Sequence, residues 1–168
     1  SVLWLRNSNE WSEINLRSHV ETCGVDPSRL IFASRVPMDE HLARHKLADL
    51  FLDTFTYNAH TTATEALWTG LPVVTKAGKG FSARAAASLL TAAALPELIT
   101  ETEQEYEELI LHLASNPGRL AQVRKKLADN RLSTPLFNTE RYTRHLENGY
   151  EQAYQRYFDG KLPRTIVV

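Results

Sequence analysis

The chain has 168 residues, of which 43% are hydrophobic and 23% are charged, and its net charge is -1. These values are typical of one folded domain, and they argue against nucleic acid as the main partner because phosphate neutralisation usually requires a basic surface. No apolar run approaches the roughly 20 residues that cross a bilayer. The single cysteine, Cys23, excludes an internal disulfide, argues against a thiolate zinc site and favours a cytoplasmic protein.

Strand-like and helical patterns alternate over the first hundred residues. Short apolar runs predict strands at 2–5, 30–33, 50–53 and 72–75, and helical spacing predicts helices at 11–23, 37–46, 61–69 and 82–92. This order is typical of a parallel sheet with helices on both faces. We therefore predict a Rossmann-like α/β core over residues 1–100.

Residues 101–168 have a helical pattern throughout. Thr102 opens a capping box with Glu105, and Asn116 and Asn138 stand at the predicted starts of two further helices. We predict that this helical segment packs on the same lobe as the core.

The segment 57–65 has the layout of a phosphate-binding turn. It follows an apolar strand and leads into a helix, so free backbone N–H groups and the helix dipole would face an anion. Thr61 and Thr62 can add hydroxyl donors, and His60 can add an imidazole. Glu65, one turn later, can accept hydrogen bonds from a ribose diol. The alternative is that Asn58 or Thr61 only caps the helix, since capping and anion binding use the same donors.

Two other clusters follow predicted strands. His41 could stack on a base and Arg44 could bond a base carbonyl, but without further context a polar amphipathic helix is the favoured explanation of both residues. The glycine-containing segment 78–84 does not have P-loop spacing, and a flexible loop is its simplest interpretation. No Asp-x-Asp sequence is present to hold a metal on a diphosphate.

Several stretches together resemble the O-linked N-acetylglucosamine transferases, including their SPINDLY-like and bacterial relatives. They are, in chain order, Ser1-Val2-Leu3-Trp4-Leu5, Val36-Pro37 with Glu40-His41, Leu47-Ala48-Asp49 with Leu52-Asp53-Thr54, Asn58-x-His60-Thr61-Thr62, Leu67-Trp68-x-Gly70-x-Pro72-x-Val74-Thr75, Arg84-x-Ala86-Ala87-Ser88, and Ser133-x-Pro135-Leu136-Phe137-Asn138-Thr139. They run in family order over nearly the whole chain, and their joint spacing is specific.

The resemblance implies the C-terminal, donor-binding lobe of a GT-B glycosyltransferase, with residues 1–100 as its nucleotide-sugar-binding core. Such enzymes transfer N-acetylglucosamine from UDP-N-acetylglucosamine to serine or threonine hydroxyls of proteins, and no metal or other cofactor is expected. By position, the UDP contacts would be His41 and Arg44 at the uracil, His60, Thr61 and Thr62 at the diphosphate, and Glu65 at the ribose.

Two departures from the family pattern affect the donor. Animal members have aspartate where Glu65 stands and lysine where Met38 stands, so one cationic contact is lost or is supplied by Arg35 or Lys79. SPINDLY-type relatives use GDP-fucose and lack the histidine that matches His60, which favours UDP-N-acetylglucosamine here. The alternatives are a SPINDLY-type fucosyltransferase, another GT-B enzyme and a non-catalytic protein-binding module.

The resemblance also implies that much of the enzyme lies upstream of Ser1, including the acceptor-side lobe, the catalytic lysine, the tetratricopeptide repeats and the core's first strand. We therefore expect the 168-residue chain to be inactive alone and able to self-associate. A stripe of tyrosines marks the last predicted helix. It either packs on its own domain or crosses to the other lobe.

Overall fold

The computed structural model describes residues 1–168, which form two compact units, Ser1–Asp49 and Leu50–Val168. The second unit therefore includes residues on both sides of position 100, where the expected division between the core and the helical segment lies. None of the helices is long and apolar enough to cross a membrane.

The first unit is a parallel strand pair with two helices. In chain order its elements are β1 (Leu3–Arg6), α1 (Glu10–Thr22), β2 (Leu30–Ala33) and α2 (Met38–Arg44). β1 and β2 pair in register along their whole length. The α1 helix begins where it does because the Asn9 side chain accepts a hydrogen bond from the Ser12 amide.

The second unit contains a three-stranded parallel sheet in which β4 is central. Its elements are β3 (Phe51–Leu52), α3 (Thr61–Thr69), β4 (Val73–Lys76), α4 (Ala85–Ala92), β5 (Ile99–Thr100), α5 (Glu103–Ser115), α6 (Pro117–Asn130) and α7 (Thr139–Phe158). The parallel strands and intervening helices confirm the predicted α/β class.

The hydrophobic core lies around β4. Val73 and Val74 are fully buried because helices cover both faces of the sheet at this strand. Fully buried leucines from the surrounding elements complete the core, namely Leu67, Leu90, Leu95, Leu98, Leu113 and Leu127. Each such side chain contributes about 1.5–3 kcal/mol of burial energy. This core fixes the ends of β3, β4 and α3, and those ends carry the candidate site.

One strand has no counterpart among the predicted elements, and two local predictions are wrong. The strand β5 was not predicted, because its two residues are too short to show a period. The helix α4 begins at Ala85 rather than residue 82, because residues 82–84 complete a turn. Asn116 stands before α6 but does not cap it with its side chain, since its Nδ2 donates to the His112 carbonyl at 2.8 Å.

The last helix, α7, buries none of its residues. Its apolar side chains recur mostly every fourth residue, so they share one face of the helix. That face consists of Tyr142, Leu146, Tyr150, Tyr154 and Tyr157, which are between 40% and 78% exposed. We call these five residues the tyrosine face.

Candidate nucleotide-binding site

The N-terminus of α3 is open. His60 is the residue before the helix, and no side chain caps it. Thr64 is the first residue whose amide bonds back, to the His60 carbonyl at 3.1 Å. The amides of Thr61, Thr62 and Ala63 therefore have no partner within the chain, and the helix dipole adds partial positive charge at the same place.

The two threonines at this helix start are exposed, and their hydroxyls make no hydrogen bond within the protein. The alternative in which Asn58 or Thr61 caps the helix is not what the structure shows. Asn58 is buried, and its Nδ2 instead donates to the Thr54 carbonyl at 2.7 Å. Five donors, three amides and two hydroxyls, thus lack an internal partner at one point on the surface.

Asp53 holds the loop that precedes α3. Its carboxylate is buried, and Oδ1 accepts hydrogen bonds from the amides of Thr54 at 2.9 Å and Ala59 at 2.6 Å. Its Oδ2 accepts from the Thr75 hydroxyl at 2.6 Å, which ties the loop to β4. Asp53 lies in Leu52-Asp53-Thr54, one of the stretches that resemble the family, but the sequence alone did not predict that it holds this loop in place.

Tyr106 of α5 supports the same corner. Its hydroxyl donates to the Asp53 carbonyl oxygen at 2.8 Å. Burial and, secondarily, the nearby Asp53 carboxylate raise the pKa of Tyr106 to about 12. The Tyr106 ring lies edge-on to the Phe55 ring, with the centroids 4.9 Å apart. The Lys76 ammonium lies 4.3 Å from the Phe55 ring centroid and also forms an ion pair with the Glu103 carboxylate at 2.8 Å.

The imidazole of His60 lies between two aromatic rings. Tyr57 stacks on it with the ring centroids 4.9 Å apart and the planes 7° from parallel. Phe81 approaches edge-on, with centroids 5.6 Å apart and an interplanar angle of 86°. The Nε2 atom of His60 is buried and has no hydrogen-bond partner.

The glycine segment 78–84 is joined to the loop before α3. The Asn58 amide donates to the Ser82 carbonyl at 2.8 Å, and the Gly78 amide donates to the Ala83 carbonyl at 2.7 Å. A Cβ on Gly78 would lie 2.6 Å from the Ala83 Cβ, so only glycine allows this close approach. The segment is therefore held by backbone hydrogen bonds at both ends.

His41 and Arg44 form a pair on α2, within the first unit. Arg44 Nη2 lies 2.8 Å from His41 Nδ1, and Nη1 donates to the Ser34 carbonyl at 3.0 Å. Arginine can only donate, so Nδ1 accepts, and a neutral His41 ring carries its proton on Nε2. The Arg44 guanidinium also lies 5.6 Å from the ring of Trp4, and His45 contacts His41 edge-on at 4.7 Å.

The predicted site residues thus fall into two groups. His60, Thr61, Thr62 and Glu65 lie within the first turns of α3 or just before it, and the half-buried Glu65 is four residues after Thr61. The pair on α2 is the second group. No three His, Cys, Asp or Glu side chains come together in a way that could hold a metal ion. Sequence reasoning missed Tyr57, Phe81 and Tyr106, which contact the site residues or their supporting loop.

Comparison with known proteins decides the family. The family model described as glycosyl transferase family 41 matches residues 1–146. The chain belongs to this family. The family 41 chain is 37% identical over 160 residues to a Caenorhabditis elegans UDP-N-acetylglucosamine-peptide N-acetylglucosaminyltransferase, with 95% of this chain covered. It is 36% identical over 147 residues to the barley (Hordeum vulgare) protein SPINDLY, which is described as a probable transferase of the same kind. That alignment covers 87% of this chain.

A solved structure supports the same assignment. It is a mutant of the O-GlcNAc transferase of Thermobaculum terrenum, which is 34% identical and superposes with a TM-score of 0.84 over 90% of this chain. The predicted fold, a Rossmann-like lobe of a GT-B glycosyltransferase, is therefore confirmed. The chain spans 14% of the Caenorhabditis elegans relative, 16% of the barley relative and 30% of the bacterial structure.

Proposed function

We propose that this chain is the donor-binding C-terminal part of a protein O-GlcNAc transferase. The enzyme would transfer N-acetylglucosamine from UDP-N-acetylglucosamine to serine or threonine hydroxyls, with inversion and without a metal ion. The observation that carries the proposal is the uncapped start of α3, where Thr61 and Thr62 are exposed and unengaged. The names of two relatives support the proposal, since the worm protein is a UDP-N-acetylglucosamine-peptide N-acetylglucosaminyltransferase and the Thermobaculum terrenum protein is an O-GlcNAc transferase.

In this proposal the α3 N-terminus stabilises the departing UDP. When the acceptor hydroxyl attacks the anomeric carbon, the sugar–phosphate bond breaks and negative charge grows on the diphosphate. Amides and hydroxyls fixed at a helix start are preorganised for that charge. By analogy with oxyanion-hole donors, each would lower the barrier by about 3 kcal/mol. The residues assigned to this role are His60, Thr61 and Thr62.

The nucleoside is assigned to the remaining predicted residues. Glu65 accepts hydrogen bonds from the ribose hydroxyls in the proposal, and His41 and Arg44 contact the uracil. The contact between Arg44 Nη2 and His41 Nδ1 supports this assignment, because it holds the two side chains side by side on α2. Arg44 is already half-buried against the Trp4 ring, so little side-chain freedom is lost on binding.

The second candidate is a SPINDLY-type fucosyltransferase that uses GDP-fucose. Overall identity does not separate the two, since the worm and barley relatives are 37% and 36% identical to this chain. The imidazole of His60 favours the UDP-sugar. Competition between UDP and GDP for the full-length enzyme distinguishes the candidates, because a fucosyltransferase would prefer GDP. A non-catalytic module would bind neither nucleotide.

Replacing both threonines tests the proposed site. Thr61→Val and Thr62→Val together keep side-chain shape but remove two donors. At about 1.5–3 kcal/mol per hydrogen bond to a charged group, UDP affinity of the full-length enzyme should fall about a hundredfold or more. Thr143→Val, an exposed threonine on α7, is the control. Isothermal titration with UDP measures both. Equal affinity in the double variant and wild type would refute the site.

The proposal extends to the properties of the 168-residue chain and its protein. Because the chain spans 14% of the worm relative, we propose that it binds the donor without turning it over. We also propose acceptor proteins as partners of the full-length enzyme, and a cytoplasmic location.

Incubating the 168-residue chain with UDP-N-acetylglucosamine and a serine-containing peptide tests whether the chain alone is inactive, and transfer by the chain alone would contradict this proposal. Transfer by full-length enzyme in EDTA tests metal independence.

A further inference from the structure

We propose that Tyr57 and Phe81 are positioning residues that hold the imidazole of His60 at the donor diphosphate. The two rings form an aromatic clamp, meaning here Tyr57 and Phe81 together. The inference rests on the proposed function, because it assigns a role to residues that act on the same site through His60.

The clamp rings are on the surface rather than in the core. Tyr57 is 66% exposed and Phe81 is 78% exposed, yet both contact the half-buried ring of His60. Exposed aromatic rings contribute little through burial, so core packing does not account for their placement. In the structure, the ring contact that Tyr57 makes is with His60, and the ring contact that Phe81 makes is also with His60.

Both clamp residues are carried by backbone that is tied together. The Thr54 hydroxyl donates to the Tyr57 carbonyl at 2.5 Å. The next residue along, Asn58, donates its amide to the Ser82 carbonyl at 2.8 Å, which joins the backbone beside Tyr57 to the backbone beside Phe81. The two rings therefore face His60 from loops whose separation is fixed by a hydrogen bond.

Ring contacts, rather than a hydrogen bond at Nε2, orient the imidazole. Nε2 of His60 is buried and has no partner, so it does not fix the ring. A stacked ring on one face and an edge-on ring leave few rotations of the side chain open. An imidazole held in this way loses less freedom when the diphosphate binds, and preorganisation of this kind raises affinity.

The test measures UDP affinity of the full-length enzyme by calorimetry. Tyr57→Leu and Phe81→Leu should each weaken UDP binding about 2- to 10-fold, the factor that corresponds to one aromatic pair. Tyr57→Phe keeps the stacked ring and should bind UDP as the wild type does. Trp11→Leu removes a comparably exposed ring, 74% accessible, from α1 and is the matched control. Thermal unfolding of each variant should stay near the wild-type midpoint.

A double-mutant cycle separates positioning from a general structural effect. If Tyr57 acts through His60, Tyr57→Leu should cause no further loss of UDP affinity in a His60→Ala background. The same loss in both backgrounds, or no loss from either clamp substitution in the wild type, would overturn the inference while leaving the proposed function intact. Unchanged affinity in His60→Ala also overturns the inference. The proposed function itself falls if the double threonine variant is unchanged too.

Discussion

Asp53 shows how one buried carboxylate can organise a site that it does not itself contact. It accepts hydrogen bonds from two amides and from the Thr75 hydroxyl, so all three donors depend on it. The family-like stretch 52–54 made Asp53 visible in the sequence. Its partners could not be predicted, because Thr75 is 22 residues away and only the folded sheet brings it near.

Asp53→Asn should destabilise the protein by about 1–3 kcal/mol, because the new amide group presents two donors where donors already converge. Urea denaturation at pH 7 measures the change. Asp129→Asn is the control, since Asp129 is exposed on α6 and pairs only with Lys125 at the surface. A loss of stability equal to that of the control would show that the three hydrogen bonds do not hold the loop.

Tyr106 gives the protein a predictable response to alkali. Its folded-state pKa is about 12 against an ordinary 10, so the folded protein holds this proton more tightly than the unfolded chain. The stability that Tyr106 contributes is therefore complete below pH 10 and is lost as the pH rises from 10 through about 12. We expect the free energy of unfolding of the wild type to fall over that interval.

Tyr106→Phe should remove that part of the alkaline loss, because no phenol remains to titrate. It should also cost about 1 kcal/mol at pH 7, because the Asp53 carbonyl loses its hydrogen bond. Urea denaturation between pH 7 and pH 12 measures both effects. Tyr142→Phe, at an exposed site on α7, should leave stability at pH 7 unchanged. Parallel alkaline curves for wild type and Tyr106→Phe would contradict the assignment.

Helix α3 shows which elements could be predicted. Its observed bounds, Thr61–Thr69, match the prediction, and Gly70 ends it in the left-handed conformation with φ at 87°. The start, the apolar period and the glycine stop all lie within one short stretch of sequence. In contrast, β5 depends on pairing with β4, which is distant in the chain, and two residues give no local signal.

Gly78→Ala tests whether the segment 78–84 supports the site. The added methyl would meet the Ala83 Cβ at 2.6 Å, so the turn must open or shift, at a cost of about 1–3 kcal/mol. We expect a lower unfolding midpoint and weaker UDP binding by the full-length enzyme, because the same segment carries Phe81. Gly80→Ala is a matched control, since nothing lies within 4 Å of its added Cβ. Equal behaviour of the two variants would show that the close approach at Gly78 is dispensable.

At the scale of the whole molecule, the tyrosine face of α7 is an exposed apolar surface on a helix that buries none of its residues. The sequence left open whether this stripe packs on its own domain, and the exposure of all five side chains supports the alternative, in which another lobe covers it. The fold class and the order of elements could be predicted because each unit has local patterns. Whether α7 packs on its own domain could not be predicted, because an apolar helix face has the same sequence pattern whether or not it is covered.

An uncovered tyrosine face should make the 168-residue chain self-associate. We expect its mass by light scattering to rise with concentration, because aromatic side chains leave water when two copies meet. Tyr150→Glu with Tyr154→Glu should reduce the association by placing charges on the face. Glu147→Gln with Glu151→Gln, at exposed acids on the same helix, is the control. A wild-type chain that stays monomeric up to millimolar concentration would contradict the expectation.

The contact between Arg44 and Trp4 has an optical consequence. The guanidinium lies 5.6 Å from the indole ring, and a charge at that distance shifts tryptophan emission. If a uracil binds beside Arg44, as proposed, the surroundings of the charge next to the indole change and the emission should change with them. With Trp11→Phe and Trp68→Phe to silence the other two indoles, intrinsic fluorescence would then follow nucleotide occupancy in real time, without any attached dye.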